Sequence, residues 1–308
     1  MESDRGNDAA GAPGPGVTTE AAAEAAGALE AHRPMLLGLA YRLLGSRHDA
    51  EDVLQEAYLR WLGVDRARVG EPRRYLSRVV TRLALDRLRA RQAARETYVG
   101  TWLPEPVPTA PSPFGPLDRA ELRDSLSTAL LHVLERLTPP ERAVYVLHTA
   151  FDLPYAEIAE ILDRSTADCR QLYHRATARV HQEQRRFTAS RPERERLLDA
   201  FLAAARDGDL ATLTDLVAAD AIAWNDGGGR VRAALNPVTG ADRIARFYAG
   251  VYGPRHRTTM DPVELNGEPA MLITRADGSR YTLTIAAADG RITGIYVVGN
   301  PAKVPAID

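Results

Sequence analysis

Residues 138–182 read TPPERAVYVLHTAFDLPYAEIAEILDRSTADCRQLYHRATARVHQ, and this stretch decides how the chain is built. Three helix starts are written in it. Thr138 followed by Glu141 is a capping box, with Pro139 at the first helical position. Pro154 opens a second helix, whose apolar positions Tyr155, Ile158, Ala159 and Leu162 repeat at helical spacing. Ser165 with Asp168 caps a third. Only Asp163, Arg164 and Ser165 separate the second helix from the third, which is the layout of a helix-turn-helix. On a helical wheel Cys169, Leu172, Ala176 and Val180 fall inward. Arg170, Gln171, His174 and Ala178 fall outward, with Arg175 at the edge. Arg and Gln are the side chains that read guanine and adenine edges bidentately. An ordinary helix pair with a solvated face fits these residues too, so the upstream sequence has to separate the two readings.

At 308 residues the chain has room for two or three small domains, each with its own core. The hydrophobic fraction, 45%, and the charged fraction, 26%, are those of a soluble protein. No apolar run is long enough to span a membrane, and no basic segment followed by an apolar one opens the chain. Cys169 is the only cysteine, which excludes an internal disulfide and a cysteine-cluster metal site. Its place on the apolar face predicts a small core residue. Together these points predict a cytoplasmic protein without metal or cofactor. Net charge is −2, but the basic residues are clustered and are arginine throughout, save for the single lysine, Lys303.

Residues 1–28 are rich in Ala, Gly, Pro and acids and lack apolar periodicity, which predicts a disordered tail. An amphipathic helix follows over 29–45 (Leu36, Leu39, Ala40, Leu43), ended by Gly45. Ser46 then caps a second helix that turns Ala50, Leu54, Ala57, Tyr58 and Trp61 inward. Outward it presents an acidic patch of Asp49, Glu51, Asp52, Gln55 and Glu56. A loop with Arg66, Arg68 and Gly70 leads to a long helix from Pro72 to about Arg95, with the stripe Leu76, Val79, Val80, Leu83, Ala84 and Leu88. Its other faces carry Arg73, Arg74, Arg78, Arg82, Arg87, Arg89, Arg91 and Arg95. Like charges four apart weaken an isolated helix, and a helix that tolerates them usually meets a polyanion. Residues 96–120 lose periodicity and gain proline, as a flexible linker does. Trp102 and Leu103 are out of place there and point to docking. Residues 121–137 return to an amphipathic helix (Leu122, Leu126, Leu130, Leu134, Leu137).

In this order the segments are DAEDVLQE (49–56), an arginine-rich helix, a linker, then LPYAEIAEIL and CRQLYHRA. They resemble the extracytoplasmic-function (ECF, group IV) sigma factors of bacterial RNA polymerase over roughly 29–186. Three further motifs resemble the subgroup with a fused C-terminal SnoaL-like domain, ECF41: TWLPEP (101–106), DGGGR (226–230) and NPAKV (300–304). The last departs from the usual NPDKL at two positions. The resemblance implies a sigma region 2 at 29–97, a linker at 98–120, a region 4 at 121–187 and a SnoaL-like domain at 192–308. Asp49, Glu51, Asp52, Gln55 and Glu56 would bind the β′ clamp helices of core polymerase, and region 4 the β flap. Arg66, Arg68, Arg73, Arg74, Arg78, Arg82 and Arg87 would hold and open the −10 promoter element. Arg164, Ser165, Arg170, Gln171, His174 and Arg175 would read the −35 element. A monomer when free, and no bond chemistry in this chain, are implied with it.

The C-terminal segment reads as helices over 192–217 with a break at Gly208, a strand over Ala221–Trp224, and a turn from Asn225 to Gly229. A helix follows over 240–252, and β-structure from 256 on, punctuated by Asn266-Gly267, Asp277-Gly278 and Asp289-Gly290. Helices followed by an antiparallel meander predict an α+β cone of the NTF2/SnoaL class. Such cones hold pockets, and Trp224, Asp226, Tyr248, Tyr252, His256 and Tyr296 are the residues placed to line one, with an unknown small ligand as a possible partner. The regulatory reading is a contact between the linker (Trp102, Leu103, Pro104, Glu105, Pro106) and the cone at Asp226, Gly227, Gly228 and Gly229, joined by Asn300 and Pro301. Two rival readings stay open at this level: a ligand-sensing helix-turn-helix repressor, and an NTF2-like isomerase or cyclase with a DNA-binding appendage.

Overall fold

The structure, a computed structural model, describes residues 19–65, 68–94, 98–110, 113–114 and 126–306. Three helices open the chain: α1 (Thr19–Leu44), α2 (Arg47–Leu62) and α3 (Pro72–Ala94). α1 begins at Thr19, well before Leu29 where the apolar stripe starts. Residues 19–28 are mostly Ala and Glu, so intrinsic propensity carries the helix where periodicity has nothing to say. Gly45 closes α1 at φ +65°, a left-handed turn that suits glycine. The Ser46 hydroxyl accepts the Asp49 N–H at 3.2 Å and starts α2.

The second helical unit comprises α4 (Thr128–Leu134), α5 (Pro139–Thr149), α6 (Tyr155–Leu162) and α7 (Thr166–Gln184). α4 is shorter than the helix expected over 121–137. Leu126 precedes it in a turn, and residues 121–125 lie outside the described residues. All three starts read from 138–182 are present. The Glu141 carboxylate accepts the Thr138 N–H at 3.1 Å and its hydroxyl at 2.9 Å. Asp163, at φ 55°, ends α6, and the Ser165 hydroxyl accepts the Asp168 N–H at 3.1 Å.

The two units do not have separate cores. One continuous apolar cluster runs from α1, α2 and α3 into α4–α7 and includes Val107 of the linker. At its centre lies a charge. Arg142 of α5 is 2% exposed, donates to the Arg42 carbonyl of α1 at 3.1 Å, and pairs with Glu135. Burial pulls its guanidinium down to about 9.

The C-terminal domain begins with α8 (Arg191–Asp207) and α9 (Leu210–Leu216), broken at Gly208 as the sequence predicts. Strands β1 (Val217–Asp226) and β2 (Val238–Thr239), helix α10 (Ala241–Tyr252), and strands β3 (Thr258–Leu265), β4 (Glu268–Arg275), β5 (Arg280–Ala288) and β6 (Arg291–Val298) follow. The sheet order is β2-β1-β6-β5-β4-β3. β3 to β6 form the expected meander, but β1 pairs with β6 in parallel, so the sheet is mixed. Asn225 and Asp226 belong to β1, not to a turn: pairing with Val297 and Val298 extends the strand to the glycines. One face of the sheet packs on α8, α9 and α10 around Phe201 and Tyr248. The other carries Trp224 and Tyr296, which pack with Leu103 of the linker and Ala129 of α4.

The Glu135–Arg142 pair generates a prediction. Glu135→Ala leaves a guanidinium buried without its counter-charge, which costs about 3–5 kcal/mol. Calorimetry of the full chain will show this as a lowered midpoint for the transition of the shared helical core.

Candidate functional site

On the outer face of α7, Arg170, Gln171 and His174 are exposed, and the Arg170 guanidinium sits 5.8 Å over the Tyr155 ring of α6. Cys169, Leu172, Ala176 and Val180 are buried beneath them. The other residues expected on this face are engaged. Arg164 pairs with Asp168 at 2.5 Å, and the Ser165 hydroxyl caps the helix. Arg175 bonds Glu141 of α5 at 3.1 Å, and Arg179 bonds the same carboxylate at 3.0 Å. Burial alone would raise the Glu141 carboxyl, but the Thr138 groups and the two arginines overcome that and hold it below its ordinary value.

The acidic and basic helices of the first unit lie side by side. Arg87 pairs with Asp52 at 3.0 Å, and Arg91 with Asp49 at 3.4 Å. Glu51 takes Arg47 and Glu56 takes Arg60 within α2 itself. Gln55 and Glu56 are the most outward members of the patch. Of the arginines, Arg73 and Arg78 are exposed, and Arg68 pairs with Asp65. Arg66 lies outside the described residues. Arg74 reaches α6, pairing with Glu157 at 3.3 Å and Glu160 at 2.8 Å, and Arg82 donates to the Ile161 carbonyl at 3.0 Å. Part of the basic ridge therefore faces the helix-turn-helix. Exposed pairs of this kind contribute about 0–1 kcal/mol each, so they hold the two units together only weakly.

The linker is not loose where it is described. Asp226, wholly buried at the end of β1, accepts the Leu103 N–H at 2.9 Å, the Tyr98 hydroxyl, and the Lys303 ammonium at 2.7 Å. Lys303 also donates to the Leu103 carbonyl at 2.7 Å. Burial pulls this amine down to about 8 against the opposite pull of Asp226. The Trp102 ring lies between two cations, 4.0 Å from Lys303 and 4.5 Å from Arg91 of α3. Leu103, Pro104 and Pro106 are buried.

Two residues further on, the linker turns to the first unit. The Glu105 carboxylate accepts the N–H groups of Arg47 at 2.8 Å and His48 at 3.3 Å, at the N-terminus of α2. The Glu105 N–H donates to the Gly45 carbonyl at 2.8 Å. The glycines earn their place by close approach: a Cβ on Gly228, at φ +58°, would stand 2.3 Å from Asn300 Nδ2. Asn300 donates to the Tyr98 hydroxyl at 3.1 Å, while Pro301 stays exposed and outside the contact. Gly229 lies against Val99.

Several members of this joint carry no signal that the sequence reading used. Asn266, read only as a hairpin turn, bonds three partners from elsewhere in the chain. Its Oδ1 accepts the Val107 N–H at 2.9 Å, and its Nδ2 donates to the Tyr41 hydroxyl at 2.6 Å and the Leu126 carbonyl at 3.0 Å. Lys303 falls within the NPAKV motif, of which the expected contact took only Asn300 and Pro301. Of the residues expected to line a cone cavity, Asp226, Tyr248, Tyr252 and His256 do so. Trp224 and Tyr296 do not. They stack 5.0 Å apart on the opposite face of the sheet, with His132 of α4 at 4.8 Å from Trp224. Period-two alternation along β1 forces this, since Trp224 and Asn225 must face opposite ways. No cluster of metal-ligating side chains occurs among the described residues.

Comparison with known proteins agrees with this architecture. The family model "Sigma-70 region 2" matches residues 28–94, and "Sigma-70, region 4" matches residues 127–180. The chain is 37% identical to the ECF RNA polymerase sigma factor SigJ of Mycobacterium tuberculosis, over 89% of this chain and 91% of that one. It is 34% identical to the probable ECF sigma factor SigI of the same organism, over 90% and 93%. The crystal structure of M. tuberculosis SigJ superposes with a TM-score of 0.69 at 34% identity, covering 90% of this chain and 97% of that one. With regions 2 and 4 followed by an α+β cone that holds residues 98–103 of the linker, the chain belongs to the ECF sigma factors of bacterial RNA polymerase.

Proposed function

We propose that this sigma factor directs core RNA polymerase to its promoters under the control of its own C-terminal cone, which acts through the linker. The observation that carries the reading is the two-sided grip on residues 98–107: Asp226 and Lys303 of the cone hold Leu103, and Glu105 caps the first turn of α2. A shift of the cone is transmitted to region 2 through three residues of chain, Leu103 to Glu105.

In this reading Asp49, Glu51, Asp52, Gln55 and Glu56 meet the β′ clamp helices, with Gln55 and Glu56 making first contact, and region 4 meets the β flap. Charge complementarity supports the assignment. Arg68, Arg73, Arg78 and Arg87 hold the −10 element, and Arg74 and Arg82 join them once α6 leaves α3. Arg170, Gln171 and His174 read the −35 element, with Arg164 and Ser165 at the helix start near the backbone. Arg175 serves instead as a strut on Glu141. The cone does not act by bond chemistry in this proposal, since Trp224, Asp226 and Tyr296 are spent on the joint.

Two outcomes test it. Trp102→Ala removes two cation–π contacts, each worth about 0.5–2 kcal/mol. Transcription by core polymerase with the full-length variant should change severalfold, while the thermal midpoint of the helical core stays put. An unchanged transcript yield would count against control through the linker. Gln171→Ala removes one bidentate base contact, worth about 1–3 kcal/mol. Promoter binding by the holoenzyme should weaken accordingly, measured by fluorescence anisotropy, with affinity for core polymerase unaltered.

A further inference from the structure

The cone contains a cavity of about 330 Å³ that none of the roles above uses. It lies on the helical side of the sheet, between the end of β1, helix α10 and the ends of β4 and β5. Its body is aromatic: Phe247, Tyr248 and Tyr252 from α10 and Tyr281 from β5. That volume is at the lower end of the range of roughly 300–1,000 Å³ typical of small-molecule sites.

The polar atoms in it are unbalanced. Asn225 is 4% exposed; one end of its amide meets the Tyr248 hydroxyl at 3.4 Å, and the other, Nδ2, has no hydrogen-bond partner. The Arg275 guanidinium lies 4.8 Å over the Tyr281 ring, and its buried Nε has no partner either. Burial raises the Tyr248 and Tyr252 phenols, so both remain protonated. At the mouth stand Arg232 and His256, both exposed. Asp226, the acid among the lining residues, turns its carboxylate toward the linker, where Lys303 neutralises it at 2.7 Å. Buried donors without acceptors cost free energy, and leaving them so in a lined cavity is what a site for an acceptor looks like.

We propose that this cavity binds a small aromatic or alicyclic carboxylate. The ring lies among Phe247, Tyr248, Tyr252 and Tyr281, and the carboxylate accepts from Arg275 Nε and Asn225 Nδ2. Guanidinium–carboxylate bonds are the strong, directional kind that a desolvated site favours. The location has a consequence that rests on the function proposed above. Asn225 and Asp226 are neighbours on β1 with opposite facings, so an occupant that engages Asn225 acts on the strand end that holds Leu103. The bound compound would then tune the linker joint.

The test uses the full chain and four probes: benzoate, phenylacetate, cyclohexanecarboxylate and the neutral amide benzamide. Calorimetric titration should show saturable binding of at least one carboxylate, with benzamide at least tenfold weaker. Arg275→Met should weaken that binding at least tenfold. Asn225→Asp, which sets a negative charge against the ligand's own, should do the same and decides the matter if the first variant does not fold. No saturable binding by any carboxylate would overturn the proposal. So would benzamide binding as tightly as the acids, or binding undiminished in a folded variant. Transcription with and without the bound probe then reads the coupling separately. Binding with an unchanged transcript yield overturns the link to the linker and leaves the site standing. An inert Trp102→Ala bears on the linker mechanism alone.

Discussion

A carboxylate buried without partners is among the most expensive groups a fold can carry, and the domain arrangement of this protein is organised around satisfying one. Asp226 has no exposed surface. None of the groups that satisfy its side chain comes from its own strand: Tyr98 and the Leu103 N–H come from the linker, and the Lys303 ammonium from the C-terminal tail. Its backbone carbonyl takes the Gly299 and Asn300 N–H groups as well. The cone therefore cannot release the linker without hydrating or re-pairing a charge at the edge of its own sheet. This makes the docked linker a condition of the cone's finished structure.

The same logic of buried charge recurs between regions 2 and 4. Arg142 is shared between α1, through the Arg42 carbonyl, and Glu135 just after α4. Around it the two regions form one apolar cluster. The weak outer pairs, Arg74 with Glu157 and Glu160, add orientation to that core. In this arrangement α6 covers part of the basic ridge of α3.

How much of this was legible in the sequence depends on the range of the interaction. The helix-turn-helix was readable to the residue, because Thr138 with Glu141, Pro154 and Ser165 with Asp168 are local rules of capping. The hairpins at Asn266-Gly267 and Asp289-Gly290 followed in the same way from positive-φ turn chemistry. Where readings failed, a distant partner decided. Asp226 before three glycines reads as a turn residue until β6 pairs with it. Trp224 and Tyr296 read as pocket residues because the sequence does not say which face of the sheet the cone closes over. The linker reads as flexible from its prolines, yet Pro104 and Pro106 are buried, and proline costs little entropy to fix once an anchor on each side exists.

Lys303 lends the molecule one further property. It carries the only ε-amino group in the chain, and that group is folded between Trp102, Leu103 and Asp226. Amine acylation of such a residue proceeds through the fraction of molecules in which the surrounding structure has opened. The rate at which an amine-selective reagent modifies this one position is thus a meter of how often the linker and the cone part company. It needs no engineered label, and mass spectrometry can read it in the free protein and in the polymerase-bound one alike.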